Sequence, residues 1–260
     1  MGADVTDGGS GENDEGRSDR ADRTGSGTHP ITDAVLPCGG RGTRLGGDVE
    51  KPLVEVDGVA TVDRVLDALA NSRVERVVAV SSPHTPATTR HLRDRTSNAD
   101  GPGGPGGIDL DVRIGDGDGY VEDLDHGLAV VGRPTVTVVA DLPLVRGVDV
   151  DDAIDAAVLQ NGPVSGNGTV PGDDAVASDD AVSSITVCVP ADTKRELGVS
   201  VDTTFDHEGL TLAPTGLNVV ADARDRIVVR RRRSLAVNVN RPSDLRVARR
   251  LARRHDGSPP

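Results

Sequence analysis

Residues 135–140 have the sequence TVTVVA, a nearly unbroken run of β-branched residues. Such runs are typical of strands buried on both faces of a parallel sheet, because helices then pack against each side. Other largely apolar runs occupy residues 31–36, 74–80, 110–114, 185–189, 217–220, 227–229 and 235–239. Segments with helical spacing separate most of these runs. The alternation predicts a three-layer α/β fold with a mostly parallel sheet.

Helices are predicted over residues 61–71, 86–95, 120–130, 150–160 and 242–254, from apolar residues spaced three and four apart. We expect Ser243 or Asn240 to cap the last helix. The inward faces are expected to be Val62, Val65, Leu66 and Leu69 in the first helix and Val121, Leu124 and Leu128 in the third.

Three segments are rich in glycine and polar residues instead. Residues 1–30 are expected to form a disordered tail, and residues 97–107 and 161–183 to be insertions within a single domain spanning 31–254. Residues 255–260 form a short second tail. No segment has the length and apolarity of a membrane span or a signal peptide, so we expect a soluble, cytoplasmic protein.

The composition is acidic and poor in aromatic residues. Lys and Arg total 29 against 42 Asp and Glu, a net charge of −13, and the chain has no Trp, one Tyr and one Phe. An acidic surface of this kind favours adaptation to high salt, and codon usage in a GC-rich genome explains part of it. The charge argues against nucleic-acid binding. The two cysteines lie far apart and indicate neither a zinc site nor a disulfide framework.

The stretch LPCGGRGTRLGGDVEKP, residues 36–52, follows the first predicted strand. It has neither the Gly-Lys-Ser/Thr of a Walker A loop nor the glycine spacing of a dinucleotide fingerprint. Its glycines allow backbone N–H groups to converge on an anion, and Arg41 and Arg44 offer forked donors to phosphate oxygens. A glycine-rich turn with solvated arginines is the alternative. Lys51 favours phosphate binding, because this chain contains only two lysines.

Cys38 lies at the base of this loop. The convergent N–H groups and the two arginines would favour its thiolate, whereas burial beneath the loop would oppose it. The residues alone leave this balance open.

The string GGRGTRLGG, followed by KPL at residues 51–53, resembles the signature of nucleotidyltransferases that transfer NMP from an NTP to a phosphate or phosphosugar. Within that MobA-like superfamily, the chain resembles the archaeal GTP:adenosylcobinamide-phosphate guanylyltransferases of cobalamin biosynthesis. The further motifs are SSPHTP at 81–86, GYVEDL at 119–124, PTGLNVV at 214–220 and NVNRPSDL at 238–245. The resemblance implies a Rossmann-like nucleotidyltransferase fold.

The resemblance also implies a reaction and its site. GTP and a corrinoid phosphate would be the substrates, Mg²⁺ the cofactor, and the protein a monomer or homodimer. The catalytic residues implied are Arg44, Lys51 and Asp141, and Asp141 and Asn240 would hold the metal. The nucleotide would be bound by Cys38, Gly39, Gly40, Arg41, Gly42, Thr43, Ser82 and Asp123, and the acceptor by Thr215, Gly216 and Asn218.

Each role has a structural alternative. Asp141 could cap the turn before Pro143, and Asp123 could lie on a solvated helix face. Asn240 could only cap the last helix, and Asn238 is then the other candidate ligand in that stretch. The three acceptor residues could form a turn at a strand edge. A molybdopterin guanylyltransferase, a sugar-nucleotide pyrophosphorylase and a non-catalytic nucleotide-binding module are the competing functions. Pro52 after the lysine argues against the first, the short segment after Asp141 against the second, and the joint presence of Arg44, Lys51 and Asp141 against the third.

Overall fold

The first strand, β1 (Asp33–Pro37), lies at the centre of the sheet, between two strands that run parallel to it. A computed structural model describes residues 31–46, 49–97, 107–158 and 182–255. The predicted N-terminal tail, the predicted C-terminal tail apart from His255 and most of the two predicted insertions therefore lie outside the described residues. In the described part of the chain, no helix is long and apolar enough to cross a membrane.

The strands after β1 are β2 (Glu55–Val56), β3 (Val59–Ala60), β4 (Arg76–Ser81), β5 (Asp109–Ile114), β6 (Thr135–Val138), β7 (Ser183–Pro190), β8 (Phe205–His207), β9 (Leu210–Val220) and β10 (Ala223–Val229). The main sheet has eight strands in the order β10–β7–β9–β6–β1–β4–β5, with β8 paired to β9. In this sheet β9 runs antiparallel to its neighbours β6, β7 and β8. A separate hairpin joins β2 to β3.

Successive side chains of a strand point to opposite faces of the sheet. Both faces therefore carry apolar residues, and helices cover each of them. Val35, Val78 and Val80 point to one face and pack with Leu128. Ala34, Leu36, Val77 and Ala79 belong to the larger core on the other face. The helices are α1 (Thr61–Ala70), α2 (Pro86–Ser97), α3 (Tyr120–Val131), α4 (Gly147–Val158), α5 (Ala191–Leu197) and α6 (Pro242–His255). Helix α3 covers the first face, and α1, α2 and α4 pack on the second. The predicted three-layer, mostly parallel α/β architecture is confirmed.

Helix α1 follows its predicted pattern, because Val62, Val65, Leu66 and Leu69 are all buried. Helix α3 does not. Val121 is 61% exposed, so its predicted place on the inward face is wrong. The helix approaches β1 most closely at Gly127, where a Cβ atom would lie 2.4 Å from Val35 Cγ1. The buried face is therefore centred on Asp123 and Gly127, and Val121 lies beyond its rim.

Residues 235–239 do not form the predicted strand. A 3₁₀ turn (Arg233–Leu235) leads into an extended segment outside the sheet, where Val237 and Val239 pack with residues of α6. Burial explains the apolar pattern without strand pairing. The predicted caps of α6 are also wrong, since Asp244 within the first turn accepts bonds from the Asn240 and Arg241 N–H groups.

Candidate functional site

Loops from the carboxyl ends of β1, β4, β5 and β6 meet around a cavity of about 390 Å³, which we name the loop pocket. Parallel strands bring their carboxyl ends to one edge of a sheet, so loops distant in sequence converge there. Several predicted site residues line the cavity, namely Cys38, Gly39, Gly40, Arg41, Lys51, Ser82, Asp123 and Asp141.

The glycine-rich loop folds back on itself, so that its end lies against its beginning. The Lys51 N–H donates to the Gly40 carbonyl at 3.2 Å. Gly42 has a φ of +74°, and a Cβ there would lie 3.1 Å from the Lys51 nitrogen. Both the backbone conformation and the close approach favour glycine. Gly42, Thr43 and Arg44 do not line the loop pocket, and Arg44 is exposed.

Glu50, which sequence analysis missed, anchors the end of this loop. Its carboxylate accepts hydrogen bonds from the N–H groups of Ala87 at 2.9 Å and Thr88 at 2.6 Å. These are free donors in the first turn of α2, where a negative charge is favoured. The contact fixes the backbone immediately before Lys51.

The Lys51 ammonium bridges two side chains at the edge of the pocket. It donates to Asp141 Oδ2, forming an ion pair, and to Asn240 Oδ1. The second Asp141 oxygen accepts from Asn238 Nδ2 at 3.1 Å. Asn238 and Asn240 extend to the same side because they are two residues apart in an extended segment, while Val239 between them is buried.

These oxygens also bear on the predicted Mg²⁺. Asp141 and Asn240 supply two hard oxygen atoms that converge on a single cation, the lysine ammonium. Mg²⁺ prefers such ligands and keeps several water molecules when the protein supplies only one or two. Among the described residues no cluster of three or more His, Cys, Asp or Glu could hold a metal. The donor set therefore fits a hydrated, substrate-linked Mg²⁺ rather than an all-protein metal cage.

Asp123 lies between two glycines at the back of the loop pocket. A Cβ at Gly39 would lie 2.2 Å from its Oδ2, and a Cβ at Gly115 would lie 2.3 Å from its Oδ1. The residue is 3% exposed, and its Oδ1 has no hydrogen-bond partner among the described residues. Burial raises the pKa of this carboxyl, and Glu122 and Asp116 add to the effect against an opposing contribution from His126. The solvated helix face is thus excluded for Asp123.

The structure decides between the two expected effects on the Cys38 thiol, and burial is the stronger one. Its thiol is inaccessible and donates to the Leu36 carbonyl at 3.3 Å. Burial strongly raises its pKa, and the charge of Asp123 raises it further. The neutral thiol is therefore the stable form, and convergent N–H groups do not create a reactive thiolate here.

A second cavity of about 790 Å³ lies beside the loop pocket and is named the β9 pocket. The predicted acceptor residues Thr215, Gly216 and Asn218 line it, as does Asn240. The two pockets share Tyr120, Val139 and Asp141 on their linings, so Asp141 stands at the boundary between them.

Two of the predicted acceptor residues, Thr215 and Gly216, also make contacts that stabilise the sheet. The Thr215 hydroxyl donates to the Val187 carbonyl at 2.9 Å and accepts from the Leu217 N–H at 3.1 Å. Gly216 has a φ of +85°, and a Cβ there would lie 2.4 Å from Val139 Cγ2. These contacts hold β9 against its neighbours where it borders the cavity.

Lys194 was missed, although the scarcity of lysine that singled out Lys51 applies to it equally. It lies on α5, is 5% exposed and lines the β9 pocket. Its ammonium donates to Asn238 Oδ1 at 2.9 Å. Both lysines of the chain therefore contact the same Asn238–Asn240 segment.

Two comparisons with solved structures agree on the fold. One is a hypothetical transferase from Thermus thermophilus, with a TM-score of 0.54 and 16% identity, covering 83% of this chain and 99% of that one. Another is a proposed glucose-1-phosphate thymidylyltransferase from Bacillus anthracis, determined with sucrose, with a TM-score of 0.58 and 12% identity over 86% of this chain and 95% of that one.

A sequence comparison finds a relative in Methanocaldococcus jannaschii, an adenosylcobinamide-phosphate guanylyltransferase. The two are 30% identical over 123 residues, which is 47% of this chain and 58% of the relative. The family model of the MobA-like NTP transferase domain matches residues 34–177, more than half of the chain. The protein is thus a member of the MobA-like NTP transferase family.

Proposed function

We propose that this nucleotidyltransferase transfers GMP from GTP to adenosylcobinamide phosphate, forming adenosylcobinamide-GDP and pyrophosphate in cobalamin biosynthesis. The named activity of the M. jannaschii relative supports this choice of substrates. The observation that carries the proposal is the position of the Lys51–Asp141 pair at the boundary between the loop pocket and the β9 pocket.

In the proposed reaction an oxygen of the acceptor phosphate attacks the α-phosphorus of GTP in line. The new P–O bond forms as the bond from the α-phosphorus to the bridging oxygen breaks, and pyrophosphate leaves with the electron pair. The attacking oxygen is already anionic, so no general base is required. The barrier comes from repulsion between two anions, and positioned cations lower it.

The residues of the loop pocket suit this electrostatic task. Arg41 and the N–H groups of Gly39 and Gly40 would hold the β- and γ-phosphates. Lys51 would move from Asp141 to the α-phosphate and the incoming phosphate, because its flexible stem carries a compact charge. Asp141 and Asn240 would hold Mg²⁺, which neutralises charge on the phosphate oxygens when bound.

Asp123 would select guanine. Its buried, unpartnered Oδ1 requires an N–H donor, and the N1–H and exocyclic amine of guanine provide two. Adenine presents an acceptor at N1, which would repel the carboxylate. Because the chain has only two aromatic residues, hydrogen bonding must supply most of the discrimination.

The test combines the protein, GTP, Mg²⁺ and adenosylcobinamide phosphate in high salt and measures pyrophosphate release together with the nucleotide-linked product by mass spectrometry. Parallel reactions contain ATP in place of GTP, molybdopterin in place of the corrinoid, or no acceptor. Release that requires both GTP and the corrinoid phosphate is expected. Transfer to molybdopterin alone would move the protein to the alternative guanylyltransferase activity, and no transfer to either acceptor would contradict the proposal.

A further inference from the structure

The two lysines of this chain belong to one hydrogen-bonded group. Lys194 donates to the Asn238 amide oxygen, and the Asn238 amide nitrogen donates to Asp141 Oδ1 at 3.1 Å and to the Thr215 carbonyl at 2.9 Å. Two hydrogen bonds therefore connect Lys194 to the carboxylate that contacts Lys51. The chain has only two lysines among its 29 Lys and Arg residues, and both lie in this one hydrogen-bonded group. Their shared location indicates a common chemical role.

Lys194 is a buried cation with little compensation. Among the described residues its ammonium has one side-chain partner, the neutral amide of Asn238, and it takes part in no ion pair within 4.0 Å. An ammonium carries three N–H donors, and a buried charge is costly unless it is paired. Burial lowers the pKa of Lys194, whereas the nearby charges of Asp141, Asp244 and Asp202 act in the opposite direction. The side chain thus has donor capacity that the described protein does not use.

The surroundings of Lys194 indicate what could use that capacity. Among the described residues that line the β9 pocket, Lys194 is the single lysine or arginine, and the other charged residues are Asp141, Asp202 and Asp225. Among the described lining residues, Lys194 is therefore the one cationic side chain that could bind an anionic group in this cavity. That cation lies on the Asp141 side of the cavity, next to the boundary with the loop pocket.

Resting on the proposed function, we propose that Lys194 binds the phosphate of the acceptor substrate in the β9 pocket. Lys51 then contacts both reacting phosphates from the loop pocket, and Lys194 holds the acceptor phosphate from the β9 pocket, on the other side of Asp141. The amide of Asn238 keeps the Lys194 ammonium and the Asp141 carboxylate in register. Lysine suits this position because its three donors can serve an amide oxygen and two phosphate oxygens at once.

The scarcity of lysine makes a direct test possible. Protein labelled with ¹³C and ¹⁵N at the lysine ε positions gives two side-chain NMR signals, and the Lys51→Arg variant assigns them. Adenosylcobinamide phosphate, added without GTP, is expected to shift the Lys194 signal, whereas adenosylcobinamide without the phosphate is not. A Lys194 signal that responds equally to the two ligands, or to neither while equilibrium dialysis shows the corrinoid bound, would overturn the proposal.

Failure of the proposed function would be recognised separately. If the wild-type protein neither binds nor converts the corrinoid phosphate, inorganic phosphate replaces it as the probe. A saturable shift of the Lys194 signal with inorganic phosphate would then support a phosphate site with another acceptor. An unchanged signal would overturn the Lys194 assignment as well.

Kinetics supply the second measurement. Lys194→Met is expected to raise the KM for the acceptor about 10- to 100-fold, the loss expected for a hydrogen bond to a charged group, with GTP binding unchanged. Arg195→Met is the matched control, because it removes the same charge from the adjacent, exposed position on α5. It should leave both substrates unaffected. A fall in kcat with an unchanged acceptor KM would show that Lys194 acts only by orienting Asn238, which would refute phosphate binding.

Discussion

The contact of Lys51 with both predicted metal ligands leads to a testable competition. The ammonium lies where Asp141 Oδ2 and Asn240 Oδ1 converge, so a metal ion must displace it to reach these oxygens. Replacing Lys51 with methionine removes the competing cation while keeping a flexible side chain of similar length. We therefore expect Lys51→Met to bind a divalent ion more tightly in the absence of nucleotide, although it transfers GMP more slowly.

The magnitude follows from the burial of the pair. The side chains of Lys51 and Asp141 are 22% and 13% exposed, which lies between a solvated pair and a fully buried one. Solvated pairs contribute about 0–1 kcal/mol, and breaking a buried pair costs about 3–5 kcal/mol. An intermediate cost of about 1–2 kcal/mol corresponds to a metal affinity roughly 5- to 30-fold higher. Transfer should fall by about 10²- to 10³-fold, as for other removed electrostatic donors.

The assay uses Mn²⁺ as a paramagnetic probe of the proposed Mg²⁺ site, with free Mn²⁺ measured by electron paramagnetic resonance at constant ionic strength. Arg41→Met is the matched control, because it removes one positive charge from the same pocket without touching Asp141. It should tighten Mn²⁺ binding much less. If Lys51→Met binds Mn²⁺ no more tightly than the wild type, Lys51 does not compete with the metal and the assignment of Asp141 and Asn240 is wrong.

Four further predictions concern other parts of the molecule. Burial raises the pKa of Asp123, and the guanine contact proposed for it needs the ionised carboxylate, so GTP affinity should begin to fall at a pH above the ordinary titration range of an aspartate. Asp123→Asn should abolish this dependence, and a calorimetric pH series that is identical in both proteins would contradict it. Gly127→Val should lower the free energy of unfolding, measured by chemical denaturation, by about 1–3 kcal/mol, because the new side chain would overpack against Val35. Ala129→Val on the exposed side of α3 should have little effect, and equal denaturation midpoints for the two variants would exclude the close approach of α3 to β1 at Gly127. Both cysteines are buried, and burial raises the pKa of Cys188 to about 11. Their alkylation at pH 8 should therefore follow unfolding in a denaturant titration, and rapid labelling of Cys38 in the native protein would refute its burial. The net charge of −13 predicts a Tm that rises between low and molar KCl as repulsion is screened, and a flat curve would argue against adaptation to high salt.

The layers of the fold were predictable because buried parallel strands leave a strong pattern. The run at 135–140 has β-branched residues on both faces, as in a strand covered on both sides, and the apolar spacing of α1 marks one buried helix face. Strand β9 was only partly predicted, since its first seven residues include Thr211, Pro214 and Gly216 and lack a continuous apolar run. The extended segment at 235–239 was mistaken for a strand because burial against α6 and strand pairing select the same residues.

The loop pocket was predictable because its position follows from topology alone. Asp141 lies three residues after the end of β6 and the glycine-rich loop follows β1, and these strands are neighbours. The connection from Lys194 to Asp141 was not predictable, because it requires the packing of a seven-residue helix against a segment outside the sheet. The environment of Asp123 likewise depends on Gly39 and Gly115 approaching from two separate loops.

The division of labour between arginine and lysine in this chain follows from their geometry. Arginine side chains form ion pairs outside the site, such as Arg73 with Asp155 at 2.6 Å and Arg113 with Asp111 at 2.7 Å. The planar guanidinium matches the geometry of a carboxylate in such pairs. Each lysine instead contacts an asparagine amide oxygen, Lys51 at Asn240 and Lys194 at Asn238. Lys51 also forms an ion pair with Asp141, whereas Lys194 has no ion-pair partner among the described residues. An amide oxygen holds an ammonium without neutralising it, so the charge of Lys194 remains available to an incoming anion. A protein with an excess of 13 negative charges would need such a cation at the proposed meeting point of two phosphates, and a guanidinium held in an ion pair with a carboxylate would be less available there.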